Sequence, residues 1–369
     1  MTGPRYTPLV QTLPATVPFV GPEQQERTRG ATFAARIGAN ENVFGPSPRA
    51  KAAMAATDIW KYGDPTSHDL RVALARRMGV EPSNIVVGEG IDGLLGYLVR
   101  LLVAPGDGAV TSDGAYPTFN YHVAGYGGVL HKVAYREDAE DLPALIAKAR
   151  EVDAKLIYFA NPDNPMGSWS SGRAIEAAIG DMPEGCLLLL DEAYVEFAPA
   201  EAVPVIAAQD PRVIRMRTFS KAYGMAGARV GYAVGAAALI QSFDKIRNHF
   251  GMNRAAQAGA LAALEDQPWL EQVIADVAAA RAEIARIAAR CGLHALPSAT
   301  NFVTVDCGAD GEFARRVLAD LVAQGLFVRM PFVAPQDRCI RVGCGTPAEM
   351  ALFEAALPRA LAVARGAAP

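Results

Sequence analysis

The sequence predicts an α/β protein: a large unit with a mostly parallel central sheet sandwiched by helices, followed by a smaller α+β unit. Three observations carry that prediction. Between about residues 80 and 235, short apolar runs alternate with helix-spaced stretches, as buried parallel strands joined by crossover helices do. Beyond Asn253 the order changes to long helices followed by short strands. Of the 369 residues 51% are hydrophobic and 20% charged, so the chain can bury a large core and is not disordered.

Residues 1–35 hold several Pro and Gly with little periodicity and are expected to form an extended arm. The large unit is placed at 36–262 and the small unit at 263–369. Strands are expected at 84–88, 108–112, 156–160, 186–190, 213–218 and 229–234, each an apolar run closed by turn residues. Beyond Asn253, helices at 254–265 and 267–291 lead into strands at 293–296, 301–305, 326–330 and 338–343. Further helices are expected at 311–324 and 346–365.

Composition narrows the function. Lys and Arg number 35 against 39 Asp and Glu, a net charge of −4 without charged blocks, which argues against a nucleic-acid partner. The longest apolar stretch, 230–240, is about half of what a membrane-spanning helix needs. The first twenty residues are broken by prolines and are not expected to be a secretion signal. The arm also lacks the pattern of a helix-turn-helix segment, so a DNA-binding regulator is not expected. Cys186, Cys291, Cys307, Cys339 and Cys344 form no CxxC pair and are read as reduced thiols of a cytoplasmic enzyme. His68, His122, His131, His249 and His294 lack ligand spacing, so no metal is expected. Trp60, Trp169 and Trp269 are read as packing residues.

Four segments carry chemistry. Gly88-Glu89-Gly90-Ile91-Asp92-Gly93 follows a strand and opens a helix, which makes an anion site from free backbone N–H groups and a helix dipole. Asp113, at the end of the next strand, keeps a nicotinamide dinucleotide open at this stage. Asn161-Pro162-Asp163-Asn164-Pro165-Met166-Gly167 pins an irregular loop at a strand's C-terminal end, where α/β proteins place ligands. Asp191 closes the apolar run Leu187–Leu190, and a carboxylate buried there calls for a cation. Lys221 lies among hydroxyls and glycines in Thr218-Phe219-Ser220-Lys221-Ala222-Tyr223-Gly224. Burial there would favour a neutral amine able to form a Schiff base, and Arg229 could hold a phosphate.

Along nearly its whole length the chain resembles fold-type I pyridoxal-phosphate aminotransferases of class I and II, most closely histidinol-phosphate aminotransferases. The likeness rests on Asn40–Pro48 (NENVFGPSP), Lys61–Pro65 (KYGDP), Tyr116–Phe119 (YPTF) and the NPDNPMG loop. Asp191–Phe197 (DEAYVEF), Ser220–Tyr232 (SKAYGMAGARVGY) and Asn301-Phe302-Val303 complete it.

The resemblance implies specific roles. Lys221 would hold the aldehyde of pyridoxal 5'-phosphate and later serve as general base. Asp191 would pair with the pyridine nitrogen; Tyr194 and Asn164 would bond the ring hydroxyl oxygen, and Tyr116 would stack on the ring. The cofactor phosphate would lie on the N–H groups of Gly90, Ile91 and Asp92, with Ser220 and Arg229 closing around it. Tyr62 would reach that phosphate from a neighbouring subunit, implying a homodimer. Arg341, Arg329, Phe19 and Asn42 would face the substrate, with Arg217 adding positive field. The implied partners are an amino donor and a 2-oxo acid, in ping-pong turnover.

Departures from the family pattern bear on the donor. GEGIDG stands where GNGSDE is usual, so Ile91 lacks a serine hydroxyl and Gly93 an acid. Residues 18–22 (PFVGP) replace PYxPG, so Phe19 lacks a tyrosine hydroxyl. Histidinol phosphate with 2-oxoglutarate is the expected pair. An aromatic or other amino acid is the alternative, and a phosphothreonine-type decarboxylase would use the same lysine and aspartate.

Overall fold

The computed structural model describes residues 3–15 and 19–366, so Pro18 of the arm segment lies outside the described residues. Seven strands form the central sheet in the spatial order Ile85–Gly88, Gly231–Val234, Val213–Thr218, Leu187–Asp191, Leu156–Ala160, Gly108–Ser112 and Val129–Val133. Gly231–Val234 runs antiparallel to both neighbours; the remaining pairs are parallel.

Strand alternation divides the side chains between two helical layers. Leu156, Tyr158, Leu187 and Leu189 pack with Leu94, Leu95 and Leu98 of helix Gly90–Leu102. Ile157, Phe159, Leu188 and Leu190 pack on the other face, under helices Leu142–Glu151 and Gly172–Ile179. The period of two thus commits Asp191 to the face of Leu189 and Tyr158 before any contact is considered. Both residues precede loops at the C-terminal edge of the sheet.

The C-terminal unit contains an antiparallel sheet of Cys339–Gly343, Phe302–Asp306 and His294–Ala295. Helices Gln267–Arg290, Gly311–Ala323 and Pro347–Ala364 pack around it. Ala35–Arg36 pairs in parallel with Leu326–Phe327, and Gly343 donates its N–H to the Ile37 carbonyl at 2.6 Å. Residues 36 and 37, assigned from sequence to the large unit, are therefore hydrogen-bonded to the small one.

Several local expectations differ from the structure. The arm is not simply extended: it contains helices Pro8–Thr12 and Pro22–Arg29. Each opens on a proline, which suits a first helical turn, where its missing N–H is no loss. Strand Val129–Val133 went unpredicted because it is a partly exposed edge carrying His131 and Lys132. The strand expected at 326–330 shortens to two residues plus one bridge between Arg329 and Arg341. Trp60 is 80% exposed instead of packed, alongside exposed Ile59 and Tyr62. Among the described residues, no helix is long and apolar enough to cross a membrane.

Candidate active site

A cavity of about 360 Å³ opens at the C-terminal edge of the large sheet, with Arg329 and Arg341 of the small unit on its wall. Lys221 enters it from the loop after Val213–Thr218. Thr218 Oγ1 accepts the Ser220 N–H at 3.0 Å, and Phe219 N–H donates to the Val230 carbonyl at 2.9 Å. Gly224 sits at φ +68°, where a Cβ would lie 2.4 Å from the Gly45 carbonyl carbon, so a side chain there would force this loop apart. Lys221 Nζ donates to the Asn40 carbonyl at 3.2 Å and stands 5.6 Å from the centre of the Tyr194 ring. Burial, reinforced by the nearby Arg341 charge, pulls its pKa down to about 8.

Asp191 is 5% exposed. Its Oδ2 accepts from the Tyr158 hydroxyl at 2.7 Å and its Oδ1 from the Ala193 N–H at 2.9 Å. Both donors are neutral, and burial outweighs them, pushing the carboxyl up to about 6. The Tyr194 hydroxyl accepts from Asn40 Nδ2 at 2.9 Å.

The helix Gly90–Leu102 starts without a side-chain cap, leaving the N–H groups of Gly90, Ile91 and Asp92 for another acceptor. Gly90 has φ +76°, and a Cβ on it would press to 2.5 Å from Arg229 Nη2. Arg229 itself takes φ +56° and donates to Ser220 Oγ at 3.3 Å and Asp92 Oδ2 at 3.1 Å. Asp92 Oδ1 accepts from the Tyr116 hydroxyl at 2.9 Å. Gly90, Asp92, Tyr116, Ser220 and Arg229 therefore converge on one anion-sized corner.

Arg341 donates to Asn164 Oδ1 and to the Gly38 carbonyl (3.2 Å), while its buried Nε has no partner. Burial lowers its pKa to about 10, which leaves it cationic at neutral pH. Arg329 donates to the Val20 carbonyl at 2.6 Å and lies over the Phe19 ring at 5.7 Å. Phe19 in turn stacks on Tyr116, with ring centres 6.1 Å apart.

Three sequence assignments, those of Asn42, Arg217 and Asp113, fall elsewhere. Asn42 is spent on backbone, donating to the Ala222 carbonyl and accepting from the Phe44 N–H, both at 3.0 Å. It braces the lysine loop and does not line the cavity, whereas Asn40 does. Tyr62, expected to serve a neighbouring subunit's site, is 79% exposed and packs on Phe250 with ring centres 5.0 Å apart, outside the cavity of its own chain. Arg217 is bound with Arg215 to buried Glu192, so it adds no free cation to the cavity. Asp113 pairs with Lys132 at 2.9 Å at the surface and does not line the cavity. Asn40 and Tyr158 were missed as site residues. Strand parity could have found Tyr158; Asn40, at φ +55°, acts partly through its carbonyl, which no side-chain motif reveals.

The aminotransferase class I and II family model matches residues 35–357. Histidinol-phosphate aminotransferase 2 of Ralstonia nicotianae is 36% identical over 338 residues, covering 90% of each chain. The crystal structure of histidinol-phosphate aminotransferase from Sinorhizobium meliloti in complex with pyridoxal-5'-phosphate is 54% identical, with a TM-score of 0.95. That match covers 98% of this chain and 99% of the other. A Thermus thermophilus aspartate aminotransferase mutant, 21% identical, shares the fold with a TM-score of 0.82 over 98% and 100% of the two chains.

Proposed function

This chain belongs to the aminotransferase class I and II family, and on that premise we propose that it transfers the amino group of histidinol phosphate to 2-oxoglutarate, with pyridoxal 5'-phosphate as cofactor. The observation that carries the substrate is the pair of arginines on one wall of the cavity, Arg341 with a buried donor to spare. Two guanidinium groups on one wall would hold a phosphate or carboxylate by charge-assisted hydrogen bonds.

The residues present also fit the cofactor. Asp191 is a buried carboxylate with neutral donors, suited to a pyridinium N–H. Gly90 keeps clear the space beside Arg229 that a Cβ would fill, and the uncapped helix start faces the same corner. Gly90, Ile91, Asp92, Ser220 and Arg229 would hold the phosphate, and Tyr116 would cover one ring face. Tyr194 and Asn164 would bind the ring oxygen.

When bound, pyridoxal phosphate supplies an aldehyde for amines and a ring that accepts the electron pair released at the substrate α-carbon. The chain's own residues do the rest. Lys221, half neutral near pH 8, can bind that aldehyde and, once displaced by substrate amine, carry a proton from the α-carbon. Asp191, ionised by a cationic partner, keeps the ring nitrogen protonated. Asn40 orients Tyr194 through its amide and Lys221 through its carbonyl. Arg341 and Arg329 fix the anionic end of the substrate.

A homodimer with a shared site belongs to the same proposal. Ile59, Trp60, Tyr62 and Phe250 form an exposed apolar surface, a feature of interfaces, and Tyr62 cannot serve its own cavity from there. Five free cysteines suit a reducing compartment such as the cytoplasm.

A screen of amino donors against 2-oxoglutarate tests the reading: kcat/KM for histidinol phosphate should exceed that for phenylalanine. The reverse order would favour the aromatic alternative, a ring against Phe19 and a carboxylate on Arg341. Phe19→Tyr should improve histidinol phosphate selectively, by about tenfold if its hydroxyl gains 1–2 kcal/mol on the phosphate. Arg341→Ala should raise KM sharply for every good donor, by about 10²-fold on loss of a charged hydrogen-bond pair. Mixing Lys221→Ala chains with Tyr62→Phe chains should yield more activity than either parent, because hybrid dimers rebuild one intact site. A mixture no more active than its parents would refute the shared site.

A further inference from the structure

Two carboxyl groups outside the cavity face each other in the interior. Glu140 is 7% exposed and Asp163 is 1% exposed, and their side chains lie within hydrogen-bonding reach of one another. Glu140 Oε2 accepts from the Ser112 hydroxyl at 2.7 Å and Oε1 from the Ala160 N–H at 3.1 Å. Asp163 Oδ1 accepts from the Tyr135 hydroxyl at 2.9 Å and Oδ2 from the Met166 N–H at 3.1 Å. All four donors are neutral. The cation whose charge reaches Asp163 is Arg341, and its guanidinium is bound to Asn164 and Gly38. The other titratable groups whose charges reach the pair are Tyr135, Tyr158 and Tyr194, all held well above their ordinary range by burial.

Two ionised carboxylates at that separation in a buried setting would repel strongly, and no neighbouring cation offsets both. We propose that Glu140 and Asp163 share one proton and that this proton-bridged pair is the positioning device that presents Asn164 to the active site. The pair fastens the ends of strands Gly108–Ser112 and Leu156–Ala160, through Ser112 and Ala160, to the loop that carries Asn164. Thr304 Oγ1 secures the far side of that loop, donating to the Pro165 carbonyl at 2.6 Å. Asn164 then receives Arg341. A carboxylate on Asp163 free of that bridge would compete for the guanidinium, so the bridge keeps Arg341 on Asn164. Burial raises both carboxyls, Asp163 to about 6 and Glu140 well above its usual range, in keeping with a retained proton.

The role in positioning rests on the aminotransferase reading; the proton does not. A carboxyl raised in the folded chain keeps a proton that the unfolded chain has released, so it lowers stability as pH rises past the unfolded value near 4.5. Glu196, raised to about 7, adds to the same slope but is common to all variants, and Asp191 is ionised against the ring nitrogen in the holoprotein. Denaturant unfolding of the holoprotein between about pH 5 and pH 7 counts these protons. Glu140→Gln, whose amide N–H replaces the shared proton, should lower the count by one and remove a buried carboxylic-acid carbonyl band from the infrared spectrum. Glu140→Ala, which removes the bridge to Asp163, should lower kcat/KM about tenfold at neutral pH, and Glu140→Gln, which keeps a bridging N–H, should restore it. If Glu140→Gln does not fold, Asp163→Asn makes the same exchange from the other side. An unchanged proton count and infrared band would overturn the shared proton. A Gln variant no more active than the Ala variant would overturn the positioning role. Absence of transamination in the wild-type chain, with the proton count intact, would instead strike the reading of the reaction.

Discussion

Lys221→Ala should end amino transfer altogether, with a loss of at least about 10²–10⁴-fold from proton transfer alone and more from the missing covalent anchor. Among the described residues, no other lysine lines the cavity. Borohydride reduction of wild-type holoprotein followed by peptide mapping should place the cofactor on Lys221; a label on another lysine would refute the assignment. Because burial lowers this amine to about 8, capture of cofactor by the apoprotein should quicken as pH rises through 8 and then level off. A lysine with its ordinary pKa would still be gaining speed at that point. Cofactor absorbance during stopped-flow mixing reports this directly.

Asp191→Asn should be nearly as severe despite its small steric change. The amide keeps a hydrogen-bond geometry but cannot hold a proton on the ring nitrogen, and its loss should lower kcat by about 10²–10³-fold, as removal of other preorganised electrostatic partners does. Tyr158→Phe provides the graded control. The Tyr158 hydroxyl helps hold the carboxylate form, so its removal should raise the Asp191 pKa and move the acidic fall of kcat/KM to higher pH. An unchanged turnover number in Asp191→Asn would remove Asp191 from the ring-nitrogen role.

Much of the site was legible because chemistry and local geometry coincide in short segments. Asp191 ends a run of four leucines, and Lys221 sits in a loop of small and hydroxyl residues; each is anomalous where it stands. Helix spacing and apolar runs likewise placed most strands within a residue or two. Edge and arm elements escaped because their cues are weak. Val129–Val133 lacks an apolar run, and the arm prolines initiate helices where composition suggested extension.

Asn42 illustrates a different limit. Its motif marks the segment, yet its amide is consumed by the backbone of Ala222 and Phe44, while Asn40, two residues earlier, meets Tyr194 and Lys221. A residue's type states which hydrogen bonds it can make, and only the folded chain states which partner claims them. Arg217 makes the same point with charge, its guanidinium taken by Glu192 just past the end of the neighbouring strand.

By itself the sequence determined the α/β class and marked Lys221, Asp191 and the glycine-led turn at Gly90 as candidates. These follow from periodicity, burial of apolar runs and local backbone freedom, which act over a few residues. The tertiary structure alone decided which polar groups share the cavity. It brought Asn40, Tyr158, Asp191, Lys221 and Arg341 together from segments separated by up to three hundred residues, and it left Tyr62 on the surface. It also set Glu140 against Asp163, so that neither acid can be assigned a charge without the other. The physical reason is that desolvation and hydrogen-bond competition depend on what surrounds a group in space, and those surroundings come from distant parts of the chain.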